Sequence, residues 1–197
     1  MAIKLVAGLG NPGEKYANTR HNIGTWWLLA LARQYRLTFK AEAKFHGWIA
    51  RLPESGVWLL IPATFMNLSG RAVSALSRFH KFAVEEILVV YDELDLPPGT
   101  ARLKSGGGVS GHNGLKDIVA HLNSPAFWRL RIGIGRPQGD TVNYVLNPPR
   151  AEEFDQIEEA IGKGLDVWPL IEHGDFEKAM LKLHTKSKDE GERMKDE

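Results

Sequence analysis

Histidines and carboxylates are the residues of this chain best suited to acid–base chemistry. Seven histidines are present, at positions 21, 46, 80, 112, 121, 173 and 184. His21 stands between Arg20 and Asn22, where a helix is expected to begin. Asp92 closes the most apolar run in the chain, Ile87-Leu88-Val89-Val90-Tyr91. A carboxylate at the carboxyl end of a buried strand can hold an imidazole in one tautomer and raise its basicity. Three asparagines join them: Asn11 after the first apolar run, Asn67 after Phe65-Met66, and Asn113 after a glycine loop. An amide is both donor and acceptor. Asparagines beside a His–Asp pair would therefore suit a peptide backbone or an ester carbonyl. Asn67 and Asn113 also fit a simpler role as helix N-caps.

Other chemistries are excluded or unsupported. The chain has no cysteine, which removes disulfides, thiolate metal sites and cysteine nucleophiles. No histidine pair has H-E-x-x-H spacing, so neither a metal nor a cofactor is expected. Gly8-Leu9-Gly10-Asn11-Pro12-Gly13 has dinucleotide-loop spacing, but Pro12 removes a backbone N–H and the following helix begins too late.

These residues must be positioned by strands and helices in alternation. Ile3 to Leu9 reads as a buried strand, and Asn22 to Tyr35 as a helix. His46–Leu52 and Val57–Ile61 read as two strands around a turn at Glu54-Ser55-Gly56. Asn67 or Ser69 is expected to cap a helix carrying Val73, Leu76 and Phe79. Glu86–Tyr91 is the strongest strand, Ala101–Lys104 alternates, and a glycine loop at 106–108 leads into a helix with Leu115, Ile118, Val119 and Leu122 on one face. Trp128–Ile134 alternates Leu130, Ile132 and Ile134 with Arg129, Arg131 and Gly133. Past Pro148-Pro149 come two amphipathic helices, near 151–173 and 175–184, the first expected to bend or loosen at Pro169. Trp26 and Trp27 are placed in the core, and Met66 either walls a pocket or fills the core. The pattern predicts a single-domain α/β fold, a twisted mixed β-sheet flanked by helices on both faces, over residues 1–184. A charged tail, 185–197, follows. In such sheets, function sits at the carboxyl ends of strands.

With 197 residues, 43% hydrophobic and 25% charged, the composition is that of a globular chain. The net charge of +1 hides an asymmetry. Residues 1–150 hold 18 Lys and Arg against 10 Asp and Glu, a net of +8; residues 151–197 hold 7 against 14, a net of −7. A basic body suggests an anionic partner, with nucleic acid the obvious candidate. No apolar stretch approaches the ~18 residues of a membrane helix, and the N-terminus lacks the pattern of a signal peptide. A cytoplasmic protein without membrane contact is expected.

Five segments, in order, resemble the bacterial-type peptidyl-tRNA hydrolase family. They are Asn11-Pro12-Gly13 with Tyr16 and Thr19-Arg20-His21-Asn22; Pro62 to Gly70; Asp92 to Gly99; Gly106-Gly107-Gly108 through Gly111-His112-Asn113-Gly114-Leu115-Lys116-Asp117; and Arg129 to Gly135. The likeness runs from residue 3 to about 184, with a mild departure at Val145 to Pro149. It implies a monomer that hydrolyses the ester between peptide and the 3′ ribose of tRNA. By motif, His21 would be the general base, Asp92 its orienting partner, and Asn11 a substrate contact that selects N-blocked over free aminoacyl-tRNA. Tyr16, Phe65, Met66, Asn67 and Asn113 would line the site, and Arg102, Lys104, Lys116 and Arg131 would meet tRNA phosphates.

The residue types suit that reaction. An ester yields to water plus one base, and a histidine near pKa ~6.5 is available at neutral pH, so a pH limb at roughly 6–7 is expected. An asparagine N–H aimed at the oxyanion could supply ~3 kcal/mol; either Asn67 or Asn113 fits. An inactive RNA-binding module on the same fold, or a small-molecule hydrolase, are the competing readings. The intact His21, Asp92 and asparagines favour the enzyme over the first, and the +8 body speaks against the second.

Overall fold

The structure, a computed structural model, describes residues 1–185. The charged tail expected after Thr185 therefore lies outside the described residues. Seven strands form one sheet: β1 (Leu5–Gly8), β2 (Lys40–Glu42), β3 (Gly47–Arg51), β4 (Trp58–Pro62), β5 (Ile87–Glu93), β6 (Ala101–Ser105) and β7 (Trp128–Gly133). Their spatial order is β2-β3-β4-β1-β5-β7-β6. The central four, β4-β1-β5-β7, are parallel; β2, β3 and β6 extend the edges antiparallel. The sheet is mixed, as the alternation of elements predicted.

Six helices complete the fold: α1 (Ile23–Gln34), α2 (Ser69–His80), α3 (Asn113–Leu122), α4 (Thr141–Val145), α5 (Ala151–Glu172) and α6 (Phe176–His184). One core layer joins Val6, Leu88, Val90, Leu130 and Ile132 of the sheet to Trp27, Leu28 and Leu31 of α1 and to Ile157, Ile161 and Trp168 of α5. The other joins Leu5, Ala7, Val89 and Tyr91 to Val73 and Leu76 of α2 and to Leu115 and Ile118 of α3. All seven residues of β5 are buried, which is why its sequence is apolar without alternation from Ile87 to Tyr91.

The chain leaves β1 towards β2–β4 and leaves β5 towards β6 and β7. The two connections diverge from neighbouring strands, and their carboxyl ends bound the crevice where such sheets bind ligands. Glycine makes the approach of α1 to this point possible. A Cβ on Gly24 would stand 2.1 Å from the Val90 carbonyl oxygen, and one on Gly8 would stand 2.6 Å from the Gly24 oxygen. The Thr25 N–H donates to the Leu9 carbonyl at 3.1 Å and fixes the contact.

Several local expectations are corrected. Neither Asn67 nor Ser69 caps α2: the Gly70 N–H donates to Asp117 Oδ2 of α3 at 2.8 Å, and the Ser69 hydroxyl donates back to the Met66 carbonyl at 2.7 Å. Asn113 does not cap α3 but is its first residue, and the cap is His112. Trp27 is buried, but Trp26 is half-buried at the surface. At the far edge, Trp128 stacks on Phe176 of α6 at 3.9 Å, and the Leu103 N–H of β6 donates to His184 Nε2 at 3.1 Å. No helix among the described residues is long and apolar enough to cross a membrane.

Replacing Gly24 by alanine should push α1 off the sheet. Overpacking of this kind costs about 1–3 kcal/mol. Urea unfolding should show a lower midpoint for Gly24→Ala; an unchanged midpoint would refute the close contact.

Candidate active site

Asp92 is the hub. Its side chain is 1% exposed, and each carboxylate oxygen meets an imidazole: Oδ2 lies 2.9 Å from His21 Nδ1, and Oδ1 lies 3.0 Å from His112 Nε2. The rings of the two histidines are 5.0 Å apart. The hydrogen-bond partners assign the tautomers. The Leu115 N–H donates to His112 Nδ1 at 3.3 Å, so His112 Nε2 carries the proton that Asp92 accepts. His21 Nδ1–H donates to the other oxygen, which leaves Nε2 of His21 as a lone-pair base.

Burial alone would lower the pKa of His21, but the Asp92 charge and hydrogen bond outweigh it and raise it above the ordinary 6.5. Burial would likewise push the Asp92 carboxyl up. The imidazoles of His21 and His112, through electrostatic attraction and N–H donors, hold it well below the usual carboxylate range instead. Ligand atoms of His21, Asp92 and His112 lie within 4.8 Å of one another, close enough to share a cation. Both carboxylate oxygens are already engaged by imidazole N–H donors, and His112 Nδ1 is engaged by Leu115. The trio is thus set up as a hydrogen-bonded relay.

Each member is delivered by a different element. His21 sits just before α1, whose glycine contact with β5 brings it beside Asp92. Arg20 is buried and anchors the turn: its guanidinium donates to the Tyr144 carbonyl at 2.9 Å and to Glu153 Oε1 at 3.1 Å, and packs 3.8 Å from the Tyr144 ring centre. His112 ends the glycine loop, and Arg129 holds that loop. Its guanidinium donates to the carbonyls of Gly107, Gly108 and Pro125, at 2.8 Å for Gly107 and 3.1 Å for Pro125. Arg129 is 1% exposed, although strand alternation placed it outward.

Asn11 is clasped by Asn22. The Asn11 N–H donates to Asn22 Oδ1 at 2.8 Å, and Asn22 Nδ2 donates to the Asn11 carbonyl at 2.9 Å. A Cβ on Gly10 would stand 2.9 Å from the Asn22 amide, so this clasp needs glycine there. Asn11 Oδ1 accepts from the Met66 N–H at 2.7 Å. Its Nδ2 is left as the donor. Met66 is buried, with its sulfur 2.6 Å from where a Cβ on Gly114 would lie. Asn67 and Asn113 are exposed. Tyr16 and the 55%-exposed Phe65 meet edge to face at 6.3 Å.

A cleft of about 70 Å³ opens over His21, Asp92 and His112, with Asn113 on its wall and Val142 and Val145 of α4 on its other side. Beyond it runs a basic strip. Arg102 and Arg131 are register partners on β6 and β7, and Lys104 lies two residues along β6. Arg102, Lys104 and Lys116 are exposed; Arg131 is half-buried, with Nε 2.9 Å from Glu93 Oε1. Of the residues singled out in the sequence, His21, Asp92 and Asn113 border one cleft, Asn11 and Met66 are linked beside it, and the four cations lie on β6, β7 and α3. The roles of His112, Asn22, Arg20 and Arg129 were not anticipated, although all four stand within the matching motifs.

Residues 5–191 match the peptidyl-tRNA hydrolase family. The chain belongs to that family. It is 59% identical to the peptidyl-tRNA hydrolase of Nitrosospira multiformis, over 93% of this chain and 98% of that one. It is 58% identical to the Methylobacillus flagellatus protein of the same name, over 94% and 98%. The crystal structure of peptidyl-tRNA hydrolase from Acinetobacter baumannii superposes with a TM-score of 0.89 at 45% identity, covering 92% of this chain and 94% of that one. The α/β fold with its mixed sheet is therefore the fold of the peptidyl-tRNA hydrolase family.

The electrostatics make a direct prediction. In an NMR titration, the His21 ring should titrate above 6.5 in the native chain. Asp92→Asn removes the charge that raises it and leaves the burial that lowers it, so the midpoint should fall. An unmoved midpoint would mean that Asp92 does not set the basicity of His21.

Proposed function

We propose that this chain hydrolyses the ester between a peptide and the 3′ ribose of tRNA, releasing both for reuse, with His21 as general base. The observation that carries the reading is the His21–Asp92–His112 relay at the head of a cleft, in a chain of the peptidyl-tRNA hydrolase family. His21 Nε2 takes a proton from water as the water oxygen attacks the ester carbonyl. Asp92 holds the ring through Nδ1 and stabilises the imidazolium that forms. The imidazolium then returns its proton to the ribose oxygen as the ester bond breaks. His112 lends Asp92 a second N–H donor and keeps the carboxylate ionised.

Asn11 Nδ2 is the donor for the first carbonyl of the peptide, which a free aminoacyl-tRNA lacks. Asn67 or Asn113 faces the oxyanion, and a neutral amide donor there supplies about 3 kcal/mol. Tyr16, Phe65 and Met66 border the peptide and the terminal adenosine. Arg102, Lys104, Lys116 and Arg131 meet phosphates of the acceptor arm. The reading includes a monomer acting in the cytoplasm, where translation supplies the substrate, with no metal and no cofactor.

With N-acetyl-aminoacyl-tRNA and EDTA present, the native chain should release the labelled amino acid, and His21→Ala should be slower by roughly 10²–10⁴. Loss of native activity to EDTA would point to a metal, and equal activity of His21→Ala would remove the base. Because His21 must be neutral, kcat/KM should rise with pH through one limb centred above 6.5. A flat profile in the chemical step would contradict this.

The basic strip is tested separately. Lys104→Ala should weaken tRNA binding and reduce its salt slope by roughly 1. Arg131→Ala should change the slope less, since Glu93 already partners it. Unaltered slopes for both variants would exclude the strip as the phosphate contact.

A further inference from the structure

The carboxyl end of α2 gathers aromatic rings at the surface. Trp58 of β4 and Arg51 of β3 are register partners, so their side chains share a face. It is the α2 face, since Trp58 packs against the same core layer as α2. His80, the last residue of α2, stacks on Trp58 at 5.0 Å. A left-handed turn at Lys81 (φ 58°) brings Phe82 back into a second stack on His80, at 5.2 Å. Phe79 meets His80 edge to face at 5.0 Å and Phe45 at 5.3 Å, yet it is 61% exposed.

Two cations stand over these rings. Lys44 Nζ lies 4.6 Å from the Phe79 ring centre, and the Arg51 guanidinium lies 5.0 Å from that of Trp58. Both side chains are exposed, and neither has an ion-pair partner among the described residues. Partial burial, then the charges of Arg51 and Lys44, lower the pKa of His80 below 6.5, so that ring is neutral at pH 7. The patch is separate from the basic strip on β6 and β7. Four strand spacings lie between β4 and β6, or about 19 Å. Phe79 is also ten residues along α2 from Ser69, which touches Met66 beside the catalytic relay; that is about 15 Å of helix.

A partner for this patch must offer a flat apolar face and a negative charge together. An unpaired nucleotide offers both. A duplex hides its base faces in the stack, and an acidic peptide brings charge without a flat face. We propose that the patch is a second RNA surface: an unpaired strand, distinct from the tRNA acting as substrate, stacks a base on Phe79 and His80 and lays its phosphates on Lys44 and Arg51. The surface acts apart from hydrolysis and does not require His21 to be the base.

The probe is fluorescein-labelled dodecauridylate, followed by anisotropy at low salt. The native chain should bind it saturably. Phe79→Ala should weaken binding about tenfold, the loss of one base stack, and Phe79→Tyr should stay within about threefold of native. Lys44→Ala and Arg51→Ala should each reduce the salt slope by about 0.7, the value for one phosphate of a single strand. These two variants remove no buried group, so their slopes decide the matter even if Phe79→Ala fails to fold. Deacylated tRNA in excess over its own Kd should not displace the strand, and Phe79→Ala should cleave N-acetyl-aminoacyl-tRNA at close to the native rate. Absence of saturable binding, unaltered salt slopes, affinity untouched by Phe79→Ala, or equal binding of a labelled polyglutamate would overturn the RNA surface. Displacement by tRNA, or slow cleavage by a folded Phe79→Ala, would assign the rings to the substrate and overturn it equally.

Discussion

The structure is organised around one buried charge. A carboxylate that is almost fully removed from water is costly unless every oxygen is paired. Asp92 sits near the end of a strand in which every residue is buried. Its two oxygens demand donors, and two loops that are distant in sequence supply them. The arrangement is mutual. The histidines keep Asp92 ionised, and Asp92 fixes both rings, so that one imidazole nitrogen is left facing the cleft with its lone pair available.

The supports of this pair lie away from the chemistry. The approach of Gly24 to β5 sets where His21 can stand, and the Arg20 guanidinium ties the same turn to α4 and Glu153. The glycine loop before His112 would be loose on sequence alone. Arg129 accepts burial because the loop offers it two carbonyls and Pro125 a third, and the loop in turn acquires one fixed path into α3. Glu153 shows that the acidic C-terminal segment is not only a counterweight to the basic body: one of its carboxylates neutralises the buried cation next to His21.

Much of this was legible in the sequence, for identifiable reasons. Strands β1, β5 and β7 announced themselves because parallel, twice-covered strands are apolar or nearly so, and α1 through its helical spacing. Asn11, Asp92 and Asn113 could be singled out because they follow strands at the carboxyl ends, and His21 because it stands where a helix begins. Strand β2 could not: Lys40-Ala41-Glu42 is a three-residue edge with no buried position, so it leaves no periodic signature. The short α4 is equally silent. Arg129 misled because alternation reports which side of the sheet a residue faces, not whether a loop then covers it. The caps misled because the donors of α2 are met by Asp117, forty-seven residues away, a partner no local pattern contains.

The sequence position of His112 supports two roles that the structure unites. As a cap, it needs a lone pair on Nδ1 for the Leu115 N–H. As a partner of Asp92, it needs a proton on Nε2. One neutral tautomer satisfies both demands, and α3 itself selects it. Protonation of Nδ1 would break the cap, while deprotonation of Nε2 would leave a buried oxygen of Asp92 unpaired. The folding of a helix and the charge state of Asp92 are thereby coupled through a single ring. The position of a proton in the active site is consequently set by backbone geometry as much as by any neighbouring charge.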